Sequence, residues 1–270
     1  MPTTTVPPAP PAPAAPAGTA PSVSAAAVAA PQLASGLPGA ESSGPADGVV
    51  EQRDAQGRLT QRAEFQDGRV HGEFLSYGVA AEPLVAALYR NGLLHGLLEL
   101  RDEAGSLLLQ SNYSQGLQDG LTRTYVGQRL VLEQNYSAGK LHGEMRAYAP
   151  SGALSVRQNY EMALLQGDAV YYREGSVVRT LSYLHGKIEG DVCDYDIAGN
   201  LVQRTHYQND LQDGSQTRYW PNGQVLEVQQ YAQGVPVGAA QRYDQDGKAL
   251  DEGATKGGGL IARLEQLIKG

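Results

Sequence analysis

The stretch YSAGKLHGEMRAYAPSGALSVRQNY, residues 136–160, begins and ends on tyrosine and carries glycine three, seven and sixteen residues after the first. Laid along the chain, its register places an aromatic residue at Phe65, Tyr89, Tyr113, Tyr136, Tyr160, Tyr183, Tyr207 and Tyr231, at spacings of 23 or 24. Self-similarity at a fixed short period marks a repeat architecture. Glycine stands three residues after these ladder positions as Gly68, Gly92, Gly116, Gly139, Gly186 and Gly234, with Ala163 and Asp210 as the departures. At plus seven it is present every time, from Gly72 to Gly238. A second tyrosine follows at plus twelve as Tyr77, Tyr125, Tyr148, Tyr172, Tyr195, Tyr219 and Tyr243, Arg101 being the exception. Of the 15 tyrosines, only Tyr171 lies off both positions.

A unit of this length, with glycines in two clusters, divides into two short runs, too close together for a parallel crossover and right for a β-hairpin. GEMRAY is the first run, APSG the tip, ALSVRQNY the second run, and SAGKLHG the turn onward. Tips elsewhere read WPNG, DIAG or DQDG, where Pro, Asn or Asp sets the turn and Gly supplies positive φ. The period of two puts Leu154, Val156, Gln158 and Tyr160 on one face, and only the first and last of that set are reliably large across repeats. Stacked tyrosines, with hydroxyls reaching water at the rim of a thin layer, are the expected ladder.

The fold class is therefore all-β: an elongated, twisted antiparallel sheet of about eight consecutive hairpins, roughly 75 to 80 Å long at ordinary strand spacing. DAQGRLTQRAEF, residues 54–65, fits as the second half of an earlier repeat, and the half-repeat after residue 48 is read as closing the first sheet edge. Three segments follow. Residues 1–47 lack Lys, Arg and aromatic side chains and read as a disordered Pro/Ala-rich linker. The repeat domain spans 48–251, and 252–270 holds a Gly hinge and a short amphipathic helix. In that helix Leu260, Ile261, Leu264, Leu267 and Ile268 share helical spacing, and it is expected to cap the last hairpin or to enter a partner's groove.

The consensus Y-x-x-G-x-x-x-G-x-x-x-x-Y-x-x-x-G-x-L, seen in YSAGKLHGEMRAYAPSGAL, YLHGKIEGDVCDYDIAGNL and YQNDLQDGSQTRYWPNGQV, resembles the variant MORN repeat of bacterial YwqK-family antitoxin proteins. The resemblance covers about residues 54–251. It implies a non-enzymatic protein that binds another protein, such as a cognate toxin or secreted effector, and neutralises it. Related MORN repeats of the eukaryotic type are linked to scaffolding and, in some cases, to lipid contact. The Pro/Ala-rich start is a departure from the repeat family.

The residues give few openings for chemistry. Net charge is −8, which disfavours phosphate backbones and anionic bilayers and favours basic protein partners. No P-loop, dinucleotide fingerprint or Ser/His/Asp arrangement is found, so no enzyme and no cofactor are expected. His71, His95 and His142 share the place before the plus-seven glycine, but equivalent places lie about 9.6 Å apart, too far to share one zinc ion, and a turn role is expected. Glu189, Asp191, Asp194 and Asp196 form the densest acidic cluster, which strand alternation divides between faces; it reads as a solvated patch that a basic partner could meet. Tyr171 and Trp220 are candidate interface anchors, Trp220 next to Pro221 having local packing as its alternative. Cys193 has no basic neighbour in sequence and reads as a plain strand cysteine.

Met145, Arg146 and Arg157 occupy places the repeat leaves free and are the first candidates for partner binding, with Asp191 and Asp194 beside them. A tethered scaffold displaying the repeats is the alternative function. No apolar run reaches the length of a transmembrane helix and no basic-plus-apolar leader is present, so the chain as written is expected in the cytoplasm, or in the cell envelope if a leader has been removed.

Overall fold

The computed structural model describes residues 47–79 and 82–250. The linker expected over residues 1–46 and the C-terminal helix lie outside the described residues. Within them the protein is all-β, with every strand pair antiparallel and no helix. The strands fall into two compact units.

One unit holds β1 Gly48–Arg53, β2 Leu59–Gln66, β3 Arg69–Tyr77, β4 Pro83–Arg90, β5 Leu93–Arg101, β6 Leu107–Ser114, β7 Leu117–Val126, β8 Arg129–Ser137, β9 Lys140–Leu141 and β10 Gly143–Tyr148. The other is built on β11 Leu154–Glu161, β12 Leu164–Leu165, β13 Gly167–Arg173, β14 Ser176–Leu184, β15 Lys187–Ile188, β16 Gly190–Tyr195, β17 Leu201–Gln208, β18 Leu211–Tyr219, β19 Val225–Ala232, β20 Val235–Tyr243 and β21 Ala249–Leu250. In each repeat a returning strand ends one residue past the ladder position, turns tightly, and is followed by an outgoing strand that ends at plus twelve or thirteen.

The two glycines of the repeat do different work, which corrects their reading as parts of one long turn. Only the first is in a turn. Asp67 and Gly68, with φ of 51° and 69°, and Asn91 and Gly92, with 51° and 83°, form two-residue connections positive at both residues, the geometry whose twist matches paired strands. Strand pairing resumes at the next residue, as in Arg90 with Leu93. The plus-seven glycine instead sits inside the outgoing strand at a bulge or, as Gly143, Gly167 and Gly190 do, opens the strand's longer piece after a break. Between the pairs Tyr89–Leu94 and Ala87–Leu98 the chain has Leu88 on one side and His95, Gly96 and Leu97 on the other. Gly96 takes φ 108° there, and an added Cβ would stand 3.0 Å from Leu88 Cδ1 and 3.3 Å from its Cβ.

On its other side the same glycine faces the next ladder residue: Gly72 pairs with Tyr89, Gly96 with Tyr113, Gly120 with Tyr136, Gly190 with Tyr207 and Gly214 with Tyr231. The expected ring-on-ring ladder is thereby corrected. Equivalent tyrosines are two strands apart, and each lies between a bare glycine and an apolar or amide side chain, as Tyr89 does with Leu94 and Tyr113 with Gln118. The aromatic contact of the first unit pairs Phe74 with Tyr89 edge to face, centroids 6.0 Å apart.

The most buried row is a small one. Two residues before the ladder stand Ala63, Ala87, Ser111, Leu181 and Thr205, all buried, opposite the plus-nine row of Phe74, Leu98, Thr122, Ala169 and Val192. At Ala63 and Ala87 a small residue on one strand receives a larger one from the next, while at Leu181 opposite Ala169 the sizes are exchanged. Where both rows turn polar, Ser111 and Thr122 share a buried hydroxyl hydrogen bond of 2.7 Å, which meets the need of buried polar groups for partners.

The two spacings of 23 among the spacings of 24 have a local cause. Four longer connections place Asp54, Asp102, Asp196 or Asp244 first, and Asp102 Oδ1 accepts the N–H groups of Ala104 at 3.0 Å and Ser106 at 2.8 Å. Two repeats replace this tip by a two-residue turn, Gly127–Gln128 and Glu174–Gly175, and lose one residue.

The first edge also differs from expectation. The earlier repeat begins before residue 54, since β1 supplies its outgoing strand and pairs with β2 from Gly48–Phe65 to Arg53–Leu59. All six β1 residues are exposed, so this half-repeat leaves an edge open among the described residues instead of closing it.

Candidate protein-binding surface

Strand alternation sorts each repeat's side chains onto two faces. The inner face carries the ladder and the two buried rows. The outer face carries the positions three and one before the ladder, plus eight, plus ten and the second tyrosine. No repeat rule fixes these beyond the tyrosine, and they are where side chains differ most from hairpin to hairpin.

The most developed outer-face cluster spans β7, β8 and β10, all in one unit. Leu121, Arg123, Glu133, Asn135, Glu144 and Arg146 line a shallow depression. Arg123 pairs with Glu133 at 3.0 Å, Arg146 reaches Glu133 at 4.0 Å and also pairs with Glu144, and Tyr148 donates its hydroxyl to Glu133 at 2.8 Å. Burial pushes the Glu133 carboxyl upward, but the hydrogen bonds from Tyr148 and Arg123 and the two cationic charges outweigh it and hold the group below its usual range. The side chains of Arg123 and Arg146 are 43% and 49% exposed, so the cluster presents two arginines set around one shielded carboxylate.

Arg146 therefore lies in this cluster. Met145, its neighbour, faces the other way, half-buried at the plus-nine place that Phe74 and Leu98 fill elsewhere. Arg157 is half-buried in the other unit, three before the ladder. Tyr171 packs on the inner face against the cluster of Ala169, Leu181, Val192 and Tyr207, and Gln158 Nε2 donates to its hydroxyl at 2.9 Å. Trp220 is tied to the next repeat: its indole N–H donates to the Tyr243 carbonyl at 3.1 Å. Asp191 and Asp194 stand on opposite faces. Asp191 is half exposed beside His206 at 2.8 Å, whereas Asp194 pairs with Arg179, both side chains being 15% exposed. The ladder residues are buried or half-buried on the inner face.

Two features were not legible as local sequence. Cys193 does have a basic neighbour, because the β16–β17 register sets Arg204 opposite it. The place before the plus-seven glycine caps the next repeat's turn where Asp, Gln, Glu or His71 holds it, whereas the Nδ1 of His95 is buried without a partner. Asp119 accepts from Ala138 N–H at 3.2 Å, Gln166 from His185 at 2.8 Å and Glu189 from Asn209 at 2.9 Å, while His71 approaches Asn91. Beside these caps, the residue three after each ladder position donates its N–H to the previous repeat, as Gly92 does to Val70 O and Asp210 to Ile188 O.

Residues 212–233 match the family model described as MORN repeat variant. No curated protein matches the chain. The matched residues are β18, its tip and β19, one full hairpin, and the other hairpins repeat its register. The protein is a MORN-type β-hairpin repeat protein.

Proposed function

We propose that this is a non-enzymatic protein-binding array, of the antitoxin or immunity type, that neutralises a toxin or secreted effector by direct binding. The observation that carries the reading is the division of labour within each hairpin. Ladder, glycines and small buried row serve the fold, and the outer face is left with exposed side chains that vary between repeats, Arg123 and Arg146 around Glu133 foremost. Arginine and tyrosine on a rigid sheet are favourable contact residues, since little conformational freedom remains to be lost on binding. The net charge of −8 steers a basic partner toward the sheet.

The test is co-purification of the full chain with the product of the neighbouring gene, followed by deletion of the repeat protein in cells carrying that product. A retained partner and loss of protection are expected. Normal growth of the deletion strain alongside toxin-bearing rivals contradicts the reading.

A further inference from the structure

We infer that the open edge of β1 is a strand-addition site for an extended segment of a protein partner. The inference rests on the reading of the chain as a protein-binding array and names where and how a partner strand seats. Outgoing strands β3, β5, β7, β13, β16 and β18 each pair with a returning strand on both sides. β1 pairs on one side only, with β2, among the described residues. The cost is visible at plus nine: Val50 is 38% exposed, where Phe74 is 2% and Leu98 1%. Val49 beside it is 51% exposed. The strand carries no lysine or proline, and its two charges, Glu51 and Arg53, pair with each other at 2.6 Å.

The sequence that precedes β1 departs from the returning strand of the repeat. Glu41, Gly44, Asp47 and Gly48 keep the repeat spacing of ladder, plus three, plus six and plus seven. Asp47 still performs its capping role, its Oδ1 accepting the Asp67 N–H at 2.7 Å. But the returning run of that unit reads SGLPGAE, with proline at residue 38, glycine at 39 and glutamate in place of tyrosine, and Pro45 falls where a strand residue closes the turn in other repeats. Proline brings no N–H to a ladder, and glycine and glutamate bring nothing to the inner face.

The occupant's chemistry follows from the interface already repeated along the sheet. In β2–β3, Ala63 faces Phe74 and Arg62 faces Leu75. The corresponding places on β1 are Val50 and Glu51. A small residue opposite Val50 repeats that pattern, and a basic one opposite Glu51 meets its charge alongside Arg53, within an antiparallel strand whose main-chain hydrogen bonds supply affinity.

The probe is a peptide of the sequence LTQRAEFQ, residues 59–66, added to the full chain and followed by fluorescence anisotropy and amide hydrogen exchange. Saturable binding with new protection confined to β1 amides is expected. Replacing the peptide's arginine by glutamate should weaken binding roughly two- to fivefold, the range an exposed ion pair supports. Val50→Lys in the protein should abolish binding while leaving the exchange of β3 to β20 amides unchanged. Absence of saturable binding, or protection elsewhere than β1, overturns the inference. A concentration-dependent dimer that protects β1 without peptide also overturns it, because a second copy then takes the edge. A co-purified partner that leaves β1 amides exchanging as in the free chain sinks this site and leaves the protein-binding reading intact; failure to retain any partner sinks that reading itself.

Discussion

At the scale of single residues, the repeat is held by backbone geometry as much as by burial. Gly96 combines φ 108° with a would-be Cβ 3.0 Å from Leu88, so Gly96→Ala is expected to cost about 1–3 kcal/mol in urea unfolding, the range for a side chain held in a disfavoured backbone region. Ala163 presents the converse. It occupies a turn position at φ 74° that glycine holds in six other repeats, and Ala163→Gly should stabilise by about 0.5–1 kcal/mol, the left-handed penalty less glycine's entropy cost. The ladder makes a separate prediction on pH. Burial, reinforced by neighbouring ladder tyrosines, raises the pKa of Tyr89 and Tyr136 above the ordinary value, and burial does the same for Tyr113 and Tyr207. Because the folded state disfavours the phenolate, stability is flat below about pH 10 and falls as pH rises through the folded values. Ultraviolet titration of tyrosinate should show these four residues ionising above the ordinary value. A single ionisation step at the ordinary value contradicts the burial argument.

At the scale of the hairpin, the two connections differ in tolerance. Gly127–Gln128 is a shortened form of a tip that four-residue sequences make elsewhere, so inserting one residue there converts a 23-residue repeat into a 24-residue one and should leave the unfolding midpoint nearly unchanged. Insertion between Ala138 and Gly139 should lower it clearly, because that turn is tied by Gly139 N–H to Gln118 O and by Asp119 to Ala138 N–H. Much of the hairpin was legible in the sequence: the runs, the tips and the tyrosine face follow from alternation and turn letters. The bulge at plus seven was not, since a glycine in a strand and a glycine in a turn are the same letter and only cross-strand register separates them. The same limit hid Arg204 beside Cys193 and the pairing of Arg123 and Arg146 with Glu133, all contacts between strands ten or more residues apart. Side-chain direction explains Met145 as well, which adjoins Arg146 in sequence and lies on the opposite face.

At the scale of the whole molecule, the central claim is that the tyrosine–glycine pattern is a building rule whose units contact mainly their neighbours, leaving the outer face for recognition. Such an array has nearly additive stability in its repeats. The most direct measurement is deletion of residues 89–112, one complete period, which joins Leu88 to Tyr113 with the register unbroken. The account predicts a folded chain with the far-ultraviolet circular dichroism of the parent per residue, the protected amides of β13 to β20 unchanged, and a urea slope reduced in proportion to the surface removed. A chain that is unfolded or aggregated after this in-register deletion, while a control deletion shorter by one residue behaves no worse, would contradict it.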